Sequence, residues 1–454
     1  MHTPAGIYLR LRDRFRDSVL LESADFHAAE NSYSFLGIRA IAGIECRDVQ
    51  TVDYRLPGAE ARTVKTNSKQ ETVQLLDDFF ASFEVENPQP FPISVAQGVL
   101  GYMCYDAAAL FEQINFRPAN EEEKIPLLRY RVYQYIIAIN HFKDELYLVE
   151  NHIEGVESEL PVIETLIRSR DVPAFPFQKT GMEQYDLAAD EYKTIVQKGI
   201  DHCFRGDVFQ VVLSRKFSQA FYGDEFNVYR ALRIINPGPY LFYFDYGDYR
   251  LFGSSPEAQL LIANNEAILH PIAGTVKRTG NDEQDKALVQ QLINDPKENA
   301  EHIMLVDLAR NDLSRFCDQV QVRQLKKTEF YSHVIHLVSE VKGNITSGGS
   351  LLQMLGQCFP AGTLSGAPKH RAMQIIDESE GSARSFYGGT IGFAGFNGQV
   401  HHAIMIRSFL SKNNNLIYRA GAGVVAASKP ENELNEVDNK LAALRKAIEK
   451  AETL

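Results

Sequence analysis

The chain has 454 residues, 44% hydrophobic and 23% charged, a balance that fits a globular protein with a substantial core and room for two or three domains. Its formal net charge of −12 excludes the basic footprint of a nucleic-acid binder, and leaves open an anionic small substrate in a locally basic pocket. Five scattered cysteines without C-x-x-C spacing, an N-terminus that gains charge too quickly for a signal peptide, and no apolar run near the roughly 18 residues of a membrane span point to a cytoplasmic protein with reduced thiols.

At the N-terminus Ile7, Leu9 and Leu11 alternate with Tyr8, Arg10 and Arg12, a half-buried strand pattern. VYQYIIAINHFKDELYLVEN, residues 132–151, is two β-rich runs around a charged turn, a hairpin. Residues 171–184, with two prolines and no periodicity, read as a linker between an N-terminal region, 1–170, and a second domain, 185–454. A helical pattern follows and ends at Gly206. PYLFYFDYGDYRLFGSS, residues 239–255, is a hairpin turning at Tyr246-Gly247-Asp248. Residues 390–425 predict three strands that turn at Asn397-Gly398 and at Asn413 to Asn415. Antiparallel strands interspersed with helices predict an α+β fold of layered antiparallel sheets with flanking helices, not a doubly wound one.

Five stretches carry chemistry. DPKENAEHIMLVDLARNDL sets Glu298 and Glu301 on one helix face, and PENELNEVDNKLAALRKAIEK does the same for Glu433, Glu436 and Lys440. Alone, each is an ordinary solvated face; meeting in space, they supply four carboxylates, enough for Mg²⁺. In FPAGTLSGAPK, Thr363 and Ser365 precede Pro368, which suits the first turn of a helix. The loop is either an anion site at that helix N-terminus or a plain cap. In YRAGAGVVA, Gly421 and Gly423 allow close approach of a ligand or mark a bulge, and Arg407 on the strand before offers a fork suited to a carboxylate. HPIAGTVKRTG, residues 270–280, ends a strand run on Pro271 and follows it with Gly274, Thr275 and two cations.

GDVFQVVLSR, NPGPYLFYF, GSSPEAQL, HPIAGT, KENAEHIMLVDLARNDL, HVIHLVSEVKG, FPAGTLSGAPK, IMIRS, AGAGVVA and ENELNEVDNK run in this order from about residue 185 to the C-terminus. As a set they resemble the chorismate-utilising enzymes, and within that family the large subunits that form anthranilate. DSVLLESAD and QGVLGYMCYD carry the likeness into the first 170 residues. The resemblance implies the chorismate-utilising fold and a two-step reaction. Ammonia adds to the chorismate ring as the ring hydroxyl leaves, and pyruvate is then eliminated to give anthranilate. It implies Mg²⁺ held by Glu301 and Glu436, with Glu298 and Glu433 on metal-bound water. Glu257 would be the general acid and His336 the base for pyruvate loss. Tyr387, Arg407 and the Gly423 amide would grip the enolpyruvyl carboxylate, while Gly274, Thr275, Thr363, Gly421 and Lys440 line the pocket.

Two positions select the product. Water-adding relatives carry lysine where this chain has Gln210, and glutamine cannot deprotonate water. Relatives that stop at aminodeoxychorismate commonly carry a nucleophilic lysine where this chain has Ala273. Both choices favour ammonia and anthranilate over the alternatives, an aminodeoxychorismate-forming enzyme or an inactive tryptophan-binding homologue. Val276, His401, His402 and Arg419 depart from the family pattern beside the pocket. No Gly-x-Cys-x-Gly elbow surrounds any cysteine, so the resemblance implies a glutamine amidotransferase subunit that supplies ammonia, in a heterotetramer. It also implies feedback inhibition by tryptophan, bound between Glu22 and Ser23 of LLES and Pro239, Tyr240 and Leu241.

Overall fold

A computed structural model describes residues 3–23, 32–330, 334–346 and 349–454, with all their side chains except those of Thr275, Lys277, Lys297 and Val334. The first element corrects the strand expected at Ile7 to Leu11. Thr3 accepts a hydrogen bond from the Gly6 amide and Pro4 opens the first turn, so Pro4–Leu11 is a helix. Tyr8 is buried as fully as Ile7 and Leu11, so the alternation marked no solvent face.

The hairpins form where turn chemistry placed them. Leu128–Asn140 pairs with Glu145–Glu150, and Tyr240–Asp245 pairs with Tyr249–Ser255 across Gly247, whose φ is 89°. The helix Ala189–Arg205 stops at Gly206, which takes the left-handed conformation at φ 80°. Two expectations need correction. The linker read at 171–184 contains most of the strand Phe177–Tyr185, which pairs with Gln210–Gly223; it is largely exposed, so no apolar period announced it. Residues 390–424 hold four strands, Thr390–Gly395, Val400–Ile404, Ser408–Lys412 and Asn415–Val424, because the chain breaks at 405–407.

The described strands hydrogen-bond into one continuous sheet that doubles back as two arms. The first arm runs from Gln210–Gly223 through Asn415–Val424, Ser408–Lys412, Tyr249–Ser255 and Tyr240–Asp245 to Ser18–Glu22. The second runs from Leu128–Asn140 through Gly98–Met103, Thr390–Gly395, Val400–Ile404, Ala258–Ala263 and Glu266–Leu269 to Val334–Ile345. The long strand Tyr33–Asp48 joins them, pairing with Ser18–Glu22 and with Leu128–Asn140.

Three cores follow. Val19, Phe35, Tyr102, Ile136, Phe242, Leu251, Ile391 and Leu410 fill the space between the arms. The helices Ala189–Arg205, Phe226–Ile235 and Pro430–Ala451 bury their apolar stripes on the outside of the first arm. Lys69–Ala81, Pro296–Leu313 and Leu351–Gln357 cover the second. The result is helix, sheet, sheet, helix: the layered α+β class expected.

Candidate active site

Two neighbouring segments cross from one arm to the other. One leaves Tyr249–Ser255, passes Pro256 and Glu257, and enters Ala258–Ala263; the other leaves Val400–Ile404 and enters Ser408–Lys412. These strands are partners in both arms, so the crossings lie side by side. The Ile404 amide donates to the Glu257 carbonyl at 3.0 Å and the Ser254 amide to the Arg407 carbonyl at 3.1 Å. Arg407 adopts φ 50°, a conformation that a non-glycine residue holds only under constraint from its surroundings. The break that the sequence did not signal is therefore what turns Arg407 out of the strand.

Glu257 is partly buried, and its Oε1 accepts from the Thr363 hydroxyl at 2.9 Å. Desolvation pushes its carboxyl pKa up to about 7, against the pull of Thr363, Lys440 and Arg407. Desolvation also draws the Arg407 guanidinium below its ordinary range, with Glu257 opposing. Among the described residues no carboxylate forms an ion pair with Arg407. A desolvated cation with no ion pair among the described residues is suited to an anion from solution.

His336 comes from Val334–Ile345, opposite Thr275, and is buried. Its ring bonds the Gly274 backbone; desolvation first, and Arg407 second, bring its pKa down to about 4, so it is neutral at pH 7. Gly274, at φ 79°, forms a register break between Ala273 and Thr275. A Cβ there would meet Leu292 at 3.0 Å and Glu298 Oε2 at 3.4 Å, which places Glu298 over the same turn. The Thr275 side chain lies outside the described residues.

The first arm supplies the other wall. Lys440 donates to the Gly421 carbonyl at 2.9 Å and pairs with Glu436 at 2.7 Å. A Cβ on Gly421 would stand 3.1 Å from the Tyr387 hydroxyl, and one on Gly423 would stand 2.4 Å from Gln210 Nε2. Asn415–Val424 runs in unbroken register beside Gln210–Gly223, so these glycines make room for side chains and do not mark a bulge. Gln210 is buried, and its Oε1 accepts no hydrogen bond among the described residues. Ala273 is buried on the opposite arm.

Residues singled out in the sequence are thus linked by contact or by charge, from Glu298 and Gly274 through His336, Arg407 and Glu257 to Lys440, Glu436 and Gly421. Thr363 sits in a turn that does not adjoin the helix directly. Gly366–Ala367 stands between its turn and the helix Lys369–Ser379, and its hydroxyl donates to Glu257. The four helical glutamates offer only carboxylate oxygen, the donor set that suits a hard divalent cation. Glu298 and Glu301 belong to Pro296–Leu313 on one arm, and Glu433 and Glu436 to Pro430–Ala451 on the other. Among the described residues no three His, Cys, Asp or Glu side chains gather closely enough to hold an ion.

At the far end of the first arm, Glu22 pairs in register with Leu241, next to half-buried Ser23, Pro239 and Tyr240. Its buried carboxylate accepts from the Tyr229 hydroxyl at 2.6 Å and meets Arg233 at 3.1 Å. Tyr229 and Arg233 escaped the sequence reading, although they lie four apart on one helix face. Residues 24–31, just beyond, lie outside the described residues.

Three of the departures from the family pattern, Arg419, His401 and His402, have structural partners. Arg419 is buried and reaches Glu380 and the Ser214 hydroxyl, both at 2.9 Å, while Arg384 takes the same Glu380 at 2.6 Å. Burial works to raise the Glu380 pKa, and the two guanidiniums hold it below the ordinary value. His401 stacks on Phe393 at 5.0 Å, and His402 meets the Thr390 hydroxyl at 3.1 Å. Arg278 pairs with buried Asp285 at 2.9 Å.

The chain matches the family of chorismate binding enzymes over residues 36–446. It is 35% identical over 473 residues to anthranilate synthase component 1 of Aquifex aeolicus, spanning 99% of this chain and 93% of that one. Against the component 1 of Thermus thermophilus the identity is 35% over 460 residues, spanning 100% and 96%. The solved structure of anthranilate synthase component I from Streptococcus pneumoniae TIGR4 superposes with a TM-score of 0.75 at 30% identity, over 91% of this chain and 92% of that one. The menaquinone-specific isochorismate synthase MenF from Escherichia coli shares the fold, with a TM-score of 0.74 at 19% identity, over 99% and 92%.

Proposed function

The chain belongs to the chorismate binding enzymes, and from that membership we propose that it is a lyase that converts chorismate and ammonia to anthranilate and pyruvate. The observation that carries this reading is the pairing of a desolvated carboxyl, Glu257, with a desolvated guanidinium, Arg407, at the seam between the arms. Chorismate is a dianion, and Arg407 with Tyr387 would hold its enolpyruvyl carboxylate. Hydroxide is a poor leaving group. With a pKa near 7, Glu257 is about half protonated in neutral solution, and that fraction would donate its proton as the ring C–O bond breaks. Ammonia needs no base, which suits Gln210: its open Oε1 is an acceptor for an N–H donor. Neutral His336 would then remove the ring proton as pyruvate departs. Ala273 offers no nucleophile for a covalent path.

Mg²⁺ would be held by Glu301 and Glu436, with Glu298 and Glu433 orienting its water. When bound, it would neutralise the ring carboxylate of chorismate. The relatives' designation as component 1 supports a partner subunit, which we take to be a glutamine amidotransferase that supplies ammonia, in a heterotetramer. The pairing of Glu22 with Leu241 supports a tryptophan site there, and Leu241 in turn faces Ser254, three residues before Glu257.

Incubation of the protein with chorismate, Mg²⁺ and ammonium tests the reading. Anthranilate fluorescence with equimolar pyruvate supports it. A non-aromatic amine without pyruvate would assign the chain to aminodeoxychorismate formation instead.

A further inference from the structure

Behind Glu257 lies a cavity of about 50 Å³ between the Pro296–Leu313 helix and the second arm, with Leu305 and Leu308 on one side and Gln259, His270 and Asp312 among its polar lining. A water needs roughly 10–15 Å³, so the space admits a short chain of them. Leu261 faces Ile268 across the hairpin, and beyond that pair the two chains bring Gln259 and His270 to the same cavity. Glu257 lines the same cavity as Gln259. Gln259 is 3% exposed; its Nε2 donates to the Cys358 carbonyl at 3.0 Å, and its Oε1 accepts from none of the described residues. A buried acceptor without a protein donor calls for water. His270 is 30% exposed, with Nε2 3.9 Å from Glu340 Oε2, so it joins the cavity to bulk solvent. Lys369 occupies the Asp312 carboxylate at 2.9 Å and closes the far end as a neutral pair.

In the reaction assigned above, Glu257 loses its proton in every turnover and must regain it while product or substrate fills the space on its other side. Building on that role of Glu257, we propose that His270 and Gln259 are positioning residues that hold a water chain in this cavity, along which a proton returns from solvent to Glu257. Glu257 gives its proton to the departing hydroxyl as the C–O bond breaks, water leaves, and the ammonium nitrogen now bonded to the ring sheds its surplus proton to solvent. The carboxylate then takes a proton from the nearest water, each water from the next, and the last from His270 in its protonated form. The neutral imidazole regains its proton from solvent. Glu340, Glu329 and Lys327 face His270, and Lys440 and Arg407 face Glu257, so these charges set the driving force along the path.

The test is His270→Asn in the ammonium-dependent anthranilate assay. Its kcat falls about 10- to 100-fold, less than loss of the acid itself, while KM for chorismate is unchanged. The deficit widens as pH rises, and added imidazole restores part of it. Gln259→Leu lowers kcat in the same way but gains nothing from imidazole, and it decides the matter if H270N does not fold. Wild-type kcat and pH profile in H270N overturn the proposal, as does a loss that imidazole leaves untouched at every pH. If the wild-type protein makes no anthranilate, the assigned reaction falls first and the relay with it; if wild type turns over and H270N matches it, the relay falls alone.

Discussion

Replacing Glu257 with glutamine separates activity from stability at a single residue. The amide keeps the Thr363 hydrogen bond but has no proton to give, so kcat falls by about 10²- to 10⁴-fold. In the wild type the folded-state pKa of about 7 lies above the ordinary carboxyl value. The folded state is therefore favoured while Glu257 is protonated, and that stability is lost as pH rises through 7. Glu257→Gln escapes the loss, so urea unfolding at pH 8 finds the variant more stable than wild type by up to about 3 kcal/mol, with no difference near pH 4. The same groups shape the rate. kcat/KM falls on the alkaline side as Glu257 ionises near 7, and on the acid side as His336 gains a proton near 4. Little of this was legible in the sequence without the resemblance: Glu257 in SSPE has no periodicity or spacing that distinguishes it from a surface glutamate. What singles it out is desolvation, a property of the crossing between arms.

Among the elements, the Asn415–Val424 strand carries its chemistry through what it lacks. Gly423→Ala puts a methyl 2.4 Å from Gln210 Nε2, the movable end of a side chain, so the fold holds and the amide shifts. Ammonium-dependent turnover then falls by up to about 10²-fold with Tm nearly constant. The buried Arg384–Glu380–Arg419 cluster behind the same strand behaves oppositely. Glu380→Ala strands two guanidiniums and the Ser214 hydroxyl, at a cost of about 3–5 kcal/mol in a urea titration. Turn residues made most hairpins readable, since Gly247 and Asn397-Gly398 act through local backbone preference. The break at 405–407 was not readable, because its cause is the neighbouring crossing at Pro256 and Glu257. The strand Phe177–Tyr185 stayed hidden for a related reason: its pairing partner, not its own pattern, makes it a strand. The helix at Pro4–Leu11 is a different failure, as Thr3 and Pro4 were visible signals outweighed by an alternation that carried no burial information.

For the whole molecule, the tryptophan reading predicts linkage. Tryptophan at about 100 times its Kd raises the unfolding free energy of wild type by about 2.7 kcal/mol and lowers its activity. Glu22→Ala shows neither effect, and an undiminished response in that variant rejects the site. The two arms themselves were not legible, because no local pattern states that Ser18–Glu22 will pair beyond residue 240. That long-range assembly also takes time. Every residue of Gly98–Met103 is buried, and the strand's second partner is Thr390–Gly395, about 290 residues later. At translation rates of about 5–20 residues per second, one edge of this apolar strand waits roughly 15–60 s on the ribosome before its neighbour exists. An open apolar edge is a template for pairing with another nascent chain. The yield of native protein in a cell therefore depends on what shields residues 98–103 in that interval.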